Sequence, residues 1–415
     1  MKILLLAQYL PPMLGGEERH VWTLARSLAA RAHDVTLLGF ATGPEDSPES
    51  SSEGVRIVRV STGASRLPMI YSDPKRPNAL PLPDPLVSRA IRNELSRNRF
   101  DVVHAHNWIV NSALGPAARA RVPLVQTLHD YSHTCATKRF MEHGKSLCAG
   151  PSPGRCMSCA SAHYGVTGPA IVAANALSAR RRAKHVAHFA AVSSAVAGAV
   201  DDNTGWLKGA GLSAEVIPNF IPDDIVLDEI PPTAAEAPLL FVGDLGLDKG
   251  VPALLDAYRL LDDPPPLVLA GRSAPGVEWD LPDGVQWLGE LPHDQVLKLF
   301  RSARAVVVPS VWSDPCPTVV LEAMAAGRPV VAAASGGIVD MVVDGVTGVL
   351  VPPGDVPALA FGIASVLRDP DRGSAFGAAG RNRAREFTVS AVVERIERMY
   401  SGAIAQAKAE ARSGG

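Results

Sequence analysis

Two carboxylates stand eight residues apart in the run from Ser310 to Gly327, which reads Ser-Val-Trp-Ser-Asp-Pro-Cys-Pro-Thr-Val-Val-Leu-Glu-Ala-Met-Ala-Ala-Gly. Asp314 lies in a Pro-rich loop that cannot itself be helical. Pro317 and Thr318 suit a first helical turn, and residues 319–326 read as the helix. Glu322 then sits about one turn in. Asp314 stands in front of N–H groups that have no partner inside the helix. A helix N-terminus binds phosphate, and two nearby acids suit sugar hydroxyls. A nucleotide sugar carries both features. The blander reading is a charged loop followed by a Glu on a helix surface.

Other residues could serve the same chemistry. Gly15 and Gly16 close the first strand-to-helix loop, and without Cβ atoms their backbone can approach a ligand closely. The helix that follows points its positive end at such a ligand; a tight turn without a ligand is the alternative. His129 ends a strand-like run beside Asp130, with a packed surface histidine as the alternative. His104 and His106 alternate on a strand, so one is expected at the core edge and one toward a ligand cleft. His106 is a candidate for acceptor contact. Lys249, before Gly250, is a sound point charge for phosphate, or else an exposed Lys at a helix start. Asp244 is unfavourable beside an anion. Its partner is Lys249, Arg272 or an amino group on a ligand.

Four of the five cysteines fall close together: Cys135, Cys148, Cys156 and Cys159. The last pair has the Cys-x-x-Cys spacing of zinc ligands, and His133 and His143 are near in sequence. A structural Zn and unliganded thiols are the two main readings, with a redox pair or disulfide third. A reducing compartment disfavours disulfides. Cys316 stands apart from this group. The basic run from Ser178 to His185 reads as a solvated helix face, with peripheral membrane contact as the alternative.

The elements that must position these groups follow a repeating pattern. Short β-branched runs at residues 2–7, 35–40, 55–60, 102–105 and 124–128 alternate with amphipathic segments. The pattern resumes at 239–243, 267–270, 285–288, 305–309 and 329–332. This predicts an α/β protein built from βαβ units. At 415 residues the chain is long enough for two domains. The expected division is 1–217 with a Cys-containing insertion at about 131–165, a linker at 218–238, and 239–388. Residues 389–415 form a helix that returns to the first domain and a frayed tail from about 403. Residues 66–85 read as a long Pro-dense loop. A net charge of −2 excludes nonspecific nucleic-acid binding. The N-terminus reads as a strand, not a signal peptide, and no stretch reaches membrane-spanning length, so a cytoplasmic protein is expected.

The run from Asp314 to Glu322 resembles the E-x7-E signature of retaining glycosyltransferases of family 4 (GT4, group 1 glycosyl transferases), which have the GT-B fold. The likeness continues through Pro11-Pro12-Met13-Leu14-Gly15-Gly16-Glu17-Glu18-Arg19, Asp101-Val102-Val103-His104-Ala105-His106 and Thr127-Leu128-His129-Asp130. It resumes at Phe241-Val242-Gly243-Asp244-Leu245, Lys249-Gly250-Val251, Leu269-Ala270-Gly271, Gly336-Gly337-Ile338 and Asp344-Gly345-Val346-Thr347-Gly348. There are departures. The first acid is Asp314, not Glu. Asp244 stands where the family usually has an Arg that contacts the diphosphate. Asn219-Phe220 replaces the usual Asn-Gly.

The resemblance implies two Rossmann-like, doubly wound domains facing each other across a cleft. Ligands in such sheets bind at the carboxyl ends of the strands. It implies transfer of a sugar, with retention, from a nucleoside-diphosphate-sugar donor to a hydroxyl acceptor. His129 would stand beside the reacting sugar, Glu322 would hold the ribose and Asp314 the sugar hydroxyls. The backbone at Cys316, Pro317, Thr318 and Val319, with Gly15, Gly16 and Lys249, would bind the rest of the donor. No cofactor or catalytic metal is implied. The first domain, including the cysteine-bearing loop, would select the acceptor. The rival readings are a nucleotide-sugar epimerase or hydrolase on the same fold, and a non-catalytic sugar-binding relative, which Asp244 would favour.

Overall fold

The computed structural model describes residues 1–11, 16–41, 47–63, 79–201, 211–232, 234, 236–274 and 276–413. The chain divides into two compact units. One comprises Met1–His143, Cys148–Pro218 and Val392–Gly415; the other comprises Gly144–Leu147 and Asn219–Ala391.

The chain begins β1 (Lys2–Leu6), α1 (Gly16–Ala30), β2 (Asp34–Phe40), β3 (Glu49–Ser52), β4 (Val55–Val60), α2 (Pro85–Arg97), β5 (Val102–His106), α3 (Val110–Ala120) and β6 (Leu124–Leu128). The two-residue strands β7 (Met141–Glu142) and β8 (Ser146–Leu147) lie outside the main sheet. Next come α4 (Pro153–Tyr164), α5 (Gly168–His185), β9 (His188–Ala191), α6 (Ser194–Asp201) and β10 (Glu215–Val216). The first unit's sheet has the order β10-β9-β6-β5-β1-β2-β4-β3, parallel except for the β3–β4 pair. Every residue of β5 and β6 is buried. Both faces of such central parallel strands are covered, so even their polar residues, His104, His106, Gln126 and Thr127, are buried. The apolar stripe of α1 (Val21, Leu24, Ala25, Leu28) recurs at helical spacing and is buried. α2 starts where Asp84 caps it, accepting from the N–H groups of Leu86 and Val87 at 2.9 and 3.2 Å, with Pro85 in the first turn.

The second unit runs β11 (Leu239–Val242), α7 (Val251–Arg259), β12 (Leu267–Ala270), β13 (Val285–Trp287), α8 (His293–Ser302), β14 (Ala305–Val308), α9 (Thr318–Ala325), β15 (Val330–Ala333), α10 (Ile338–Met341), β16 (Gly348–Val351), α11 (Val356–Arg368) and α12 (Pro370–Ala384). The strand order is β13-β12-β11-β14-β15-β16, and every pair is parallel. In both sheets the winding direction reverses once, between β1 and β5 and between β11 and β14. Ligand crevices of doubly wound sheets open at the carboxyl ends of such strand pairs.

α13 (Val389–Ser413) changes allegiance along its length, and from Val392 it belongs to the first unit. It buries Val392, Val393, Ile396, Met399, Tyr400 and Ala403. Arg31 forks onto its Glu397 at 2.9 and 2.8 Å, and His33 meets the same carboxylate at 2.8 Å. The frayed tail expected from residue 403 is corrected here. Helix continues to Ser413, because Ala, Gln, Lys, Glu and Arg are strong helix formers and no breaker interrupts them. Described residues of the segment read as a linker, 218–238, are tied to the second unit. Ile221 bridges to Thr388, the Leu227 N–H donates to Ala325 O at 3.2 Å, and Arg328 donates to Pro231 O at 3.0 Å. The insertion at 131–165 is partly helical, and its Cys-x-x-Cys lies on α4. Of the 66–85 loop, residues 66–78 lie outside the described residues. Among the described residues, no helix is long and apolar enough to cross a membrane.

Tight packing, rather than backbone conformation alone, demands Gly250. It and Gly276 share a φ of +76°, but a Cβ on Gly250 would fall 1.9 Å from Pro309 O, whereas one on Gly276 would meet nothing within 4 Å. Gly250→Ala is therefore expected to destabilise the protein by about 2–3 kcal/mol in urea unfolding, and Gly276→Ala by about 1 kcal/mol. Equal costs would show that Gly250 is required only for its backbone angle.

Candidate active site

Two neighbouring strands of the second unit end in glycine and then in a charged residue. A Cβ on Gly271, after β12, would lie 1.8 Å from Gly243 O, after β11. Only glycine allows the two strand ends this close. The next residues, Asp244 and Arg272, form a fork, Nε to Oδ1 and Nη2 to Oδ2 at 3.1 Å each. Glu290 stands 3.9 Å from the same guanidinium. Of the three partners open to Asp244, Arg272 is the one it has.

Lys249, from the loop before α7, places Nζ 2.5 Å from Asp314 Oδ2 and 5.1 Å from the centre of the Trp312 ring. Asp314 is only 6% exposed. Its loop is fixed from both sides. The N–H groups of Val311 and Trp312 donate to Asp248 O at 3.0 and 3.2 Å. Ser335 Oγ donates to the carbonyls of Ser310 and Trp312, both at 3.0 Å. The Gly337 N–H donates to Asp314 O at 2.8 Å, and a Cβ on Gly336 would fall 2.0 Å from that oxygen. The Gly-Gly pair at 336–337 thus serves the acid loop by close backbone contact.

α9 begins at Thr318 with Pro317 before it, and no side chain caps it. The first N–H groups, Thr318 and Val319 among them, have no partner within the helix by its geometry. Cys316 is buried, which pushes its thiol well up and leaves it a poor nucleophile. Its carbonyl accepts from Asn219 Nδ2 at 3.3 Å. Glu322, the fifth residue of α9, is 9% exposed, and its Oε1 lies 3.0 Å from His293 Nε2. His293 is the first residue of α8. Nothing in the sequence singled it out, since it lies 29 positions before Glu322 and the packing of α8 beside α9 brings the two together.

In the first unit, Gly16 opens α1 and a Cβ on it would meet nothing within 4 Å, while Gly15 lies outside the described residues. His129 follows β6 and is buried. Its Nε2 lies 2.8 Å from His106 Nδ1, and its backbone N–H donates to Asn107 Oδ1 at 3.2 Å. His104 and His106 do not face opposite ways. Residues two apart on a strand share a face, both are fully buried, and their ring centres are 4.3 Å apart. His104 is held between Tyr400 Oη at 2.7 Å and Thr127 Oγ1 at 2.8 Å. His20 packs edge-on against His129 with ring centres 4.9 Å apart. Burial, reinforced by the neighbouring imidazole of His129, pushes His104 down to about 3. Burial likewise holds His20 and His106 well below the usual imidazole range, so these rings are neutral. Glu17 is held well above the usual carboxylate range by burial and by Glu18 and Asp130. Its Oε2 accepts from Asn107 Nδ2 at 2.6 Å.

The four clustered cysteines are free thiols. Three of the four thiols have a hydrogen-bond partner of their own. Cys135 pairs with Thr137 Oγ1 at 3.2 Å, Cys148 with Gly150 O at 3.5 Å and Cys159 with Met141 O at 3.4 Å. Among the described residues no group of three or more His, Cys, Asp or Glu is arranged to hold a metal. The basic run at 178–185 is also not wholly solvated. Arg182 is fully buried and donates to Asn111 Oδ1 at 3.1 Å, Asn175 Oδ1 at 3.2 Å and His133 O at 3.3 Å. Burial lowers its guanidinium to about 9, against the pull of Asp130.

Comparison with known proteins agrees with this geometry. Residues 14–224 match the family model Glycosyltransferase Family 4, and residues 230–383 match Glycosyl transferases group 1. The chain is similar to a glycogen synthase of Mycobacterium tuberculosis, with 30% identity over 93% of this chain and 89% of that protein. Among solved structures it is similar to sucrose-phosphate synthase from Thermosynechococcus elongatus, with a TM-score of 0.73, 22% identity, and 98% and 99% of the two chains covered. It is also similar to Anabaena HepE in complex with UDP and glucose, with a TM-score of 0.66, 20% identity, and 97% and 99% covered. Two doubly wound units with these structural neighbours make the fold GT-B. With a family model spanning half the chain and a relative matched along nearly its whole length, the protein belongs to glycosyltransferase family 4 and transfers sugar from a nucleotide-sugar donor.

Proposed function

We propose that the protein is a retaining, metal-independent glycosyltransferase whose second unit binds a nucleoside-diphosphate sugar at the carboxyl ends of β11, β12 and β14. The observation that carries this reading is the setting of Asp314 and Glu322. Both acids are buried, both are already partnered, and they flank the open N-terminus of α9. Glu322, steadied by His293, accepts from the ribose hydroxyls. Asp314, neutralised by Lys249, accepts from hydroxyls of the transferred sugar. A carboxylate tied to a cation is a poor nucleophile, which favours hydroxyl binding over covalent catalysis.

In this reaction the bond from the anomeric carbon to the diphosphate breaks, and a bond from that carbon to the acceptor oxygen forms on the same face. The acceptor's proton passes to an oxygen of the departing phosphate, and a nucleoside diphosphate leaves. Charge builds on the diphosphate, so rate depends on positive groups placed before the reaction starts. Arg272, Lys249 and the first turn of α9 form that positive field. Arg272 supplies the guanidinium that Asp244 does not, and Asp244 holds it in place as a rigid fork. Acceptor binding is assigned to the first unit.

Calorimetric titration with UDP, ADP, GDP and dTDP should show clear binding and one preferred base; no binding to any of the four would overturn the donor assignment. Glu322→Ala should weaken nucleoside-diphosphate binding about 10- to 100-fold, the loss of a charge-assisted hydrogen bond, and leave acceptor affinity unchanged. Arg272→Ala should cost about tenfold in binding the preferred diphosphate and nothing in binding its nucleoside. Equal losses for both ligands would assign Arg272 to the base or ribose instead. Turnover should persist in excess EDTA, and the product's anomeric configuration, read by proton NMR, should match the donor's.

A further inference from the structure

None of the chain's 42 acidic residues lies between His143 and Val200, the stretch that contains α4 and α5. Protein surfaces in water normally intersperse both signs of charge, so an acid-free helix pair carries a sustained positive potential. α5 turns one side inward, where Val172, Asn175, Ala176, Ala179 and Arg182 are buried. On its other side Ala170, Ala173, Leu177, Arg180, Arg181 and Lys184 are exposed. Their spacing of three and four residues puts them in one stripe along the helix. The stripe changes character along its length, apolar in its first half and cationic in its second. Leu177, at the changeover, is 60% exposed, and Val166, in the turn Gly165–Thr167 that leads into the helix, is 99% exposed.

A side chain as open as Val166 gains nothing from folding, yet the turn that carries it is firmly built. A Cβ on Gly168 would fall 2.5 Å from the Ala160 carbonyl carbon, so α5 starts pressed against α4. Thr167 Oγ1 donates to Tyr164 O, and Tyr164 Oη donates to Ala136 O, both at 2.9 Å. We propose that the exposed face of α5 docks on a membrane surface with anionic headgroups, the Val166 end entering first and Arg181 and Lys184 meeting the headgroups. This proposal does not depend on the donor reading. Charge selects the occupant. A second copy of the chain, docked through the same face about a two-fold axis, would set cations against cations. A bilayer offers both chemistries in the order of the stripe, hydrocarbon at depth and phosphate above it. The apolar half, Ala170 to Leu177, runs about 10 Å along the helix axis at 1.5 Å per residue, which matches the depth of about 5–10 Å that interfacial segments reach.

The test is flotation of the full chain with vesicles of phosphatidylcholine alone or mixed with phosphatidylglycerol. The chain should float with the mixed vesicles and not with pure phosphatidylcholine. Binding should fall as salt rises, because the headgroup charge is screened. Arg181→Ala and Lys184→Ala should each weaken binding about fivefold. The double substitution Val166→Asp, Leu177→Gln should weaken it about tenfold or more, by removing the apolar contact. All four positions are exposed, so the thermal unfolding midpoint should stay unchanged in each variant. Mixed vesicles that fail to carry the chain would overturn the proposal. So would binding that survives the Val166/Leu177 double substitution, the mark of charge adsorption alone. Retention on immobilised polyglutamate by a chain that vesicles do not carry would assign the face to an acidic protein instead. Nucleotide binding plays no part in these readouts, so failure of the donor assignment and failure of this one are told apart.

Discussion

Asp314 gives up its water beside Lys249, and the second unit is arranged to make that possible. A carboxylate removed from solvent loses several kcal/mol of hydration unless a cation replaces it at close range. The 2.5 Å contact does so. The lysine arrives on the loop after β11 and the acid on the loop after β14, so the pair can form only because those strands are sheet neighbours. Gly250 must lie against Pro309 to bring the lysine loop down, and Gly336 must lie against Asp314 to hold the acid loop up. The uncapped start of α9, and with it the placing of Glu322, follows from where that acid loop ends.

The strands were legible because central parallel strands are buried on both faces and show as apolar runs. Residues 124–128 and 267–270 appear in the fold with the bounds read from sequence. The acids of the α9 region were legible because a loop, prolines and a helix start lie contiguous in the chain. The groups that partner those acids were not. His293 meets Glu322 across 29 residues, and Arg272 meets Asp244 across 28, through helix packing and strand pairing that local spacing does not encode. The cysteine spacing left two readings open. It is that of a ligand set, but the thiols of Cys135, Cys148 and Cys159 each meet a nearby oxygen instead. The strands β3, β9, β10 and β16 escaped notice; polar residues fill β3, β10 is two residues long and the other two are four.

The first unit follows another rule. Where β5 and β6 end, its interior is filled with imidazoles and amides instead of aliphatic side chains, with the Glu17 carboxyl against Asn107. Buried polar groups are costly unless paired, and in return they tolerate few alternative arrangements. Arg182 shows the same economy of placement. It is fully buried, and its guanidinium donates to amide and carbonyl oxygens and to the imidazole of His133. Groups held this way keep their orientation through a reaction cycle, which suits a site that must present fixed donors and acceptors.

The switch of α13 at Val392 has a consequence for how the chain is made. The first unit is not finished when its sheet is complete. Its His104 waits for Tyr400 and its Arg31 for Glu397, and both lie beyond the whole of the second unit. A ribosome therefore exposes the strands of the first unit long before the helix that covers them. The second unit, by contrast, is nearly contiguous and can close as soon as it emerges. During synthesis the order of maturation is reversed relative to the order of the sequence: the part translated first is the part completed last.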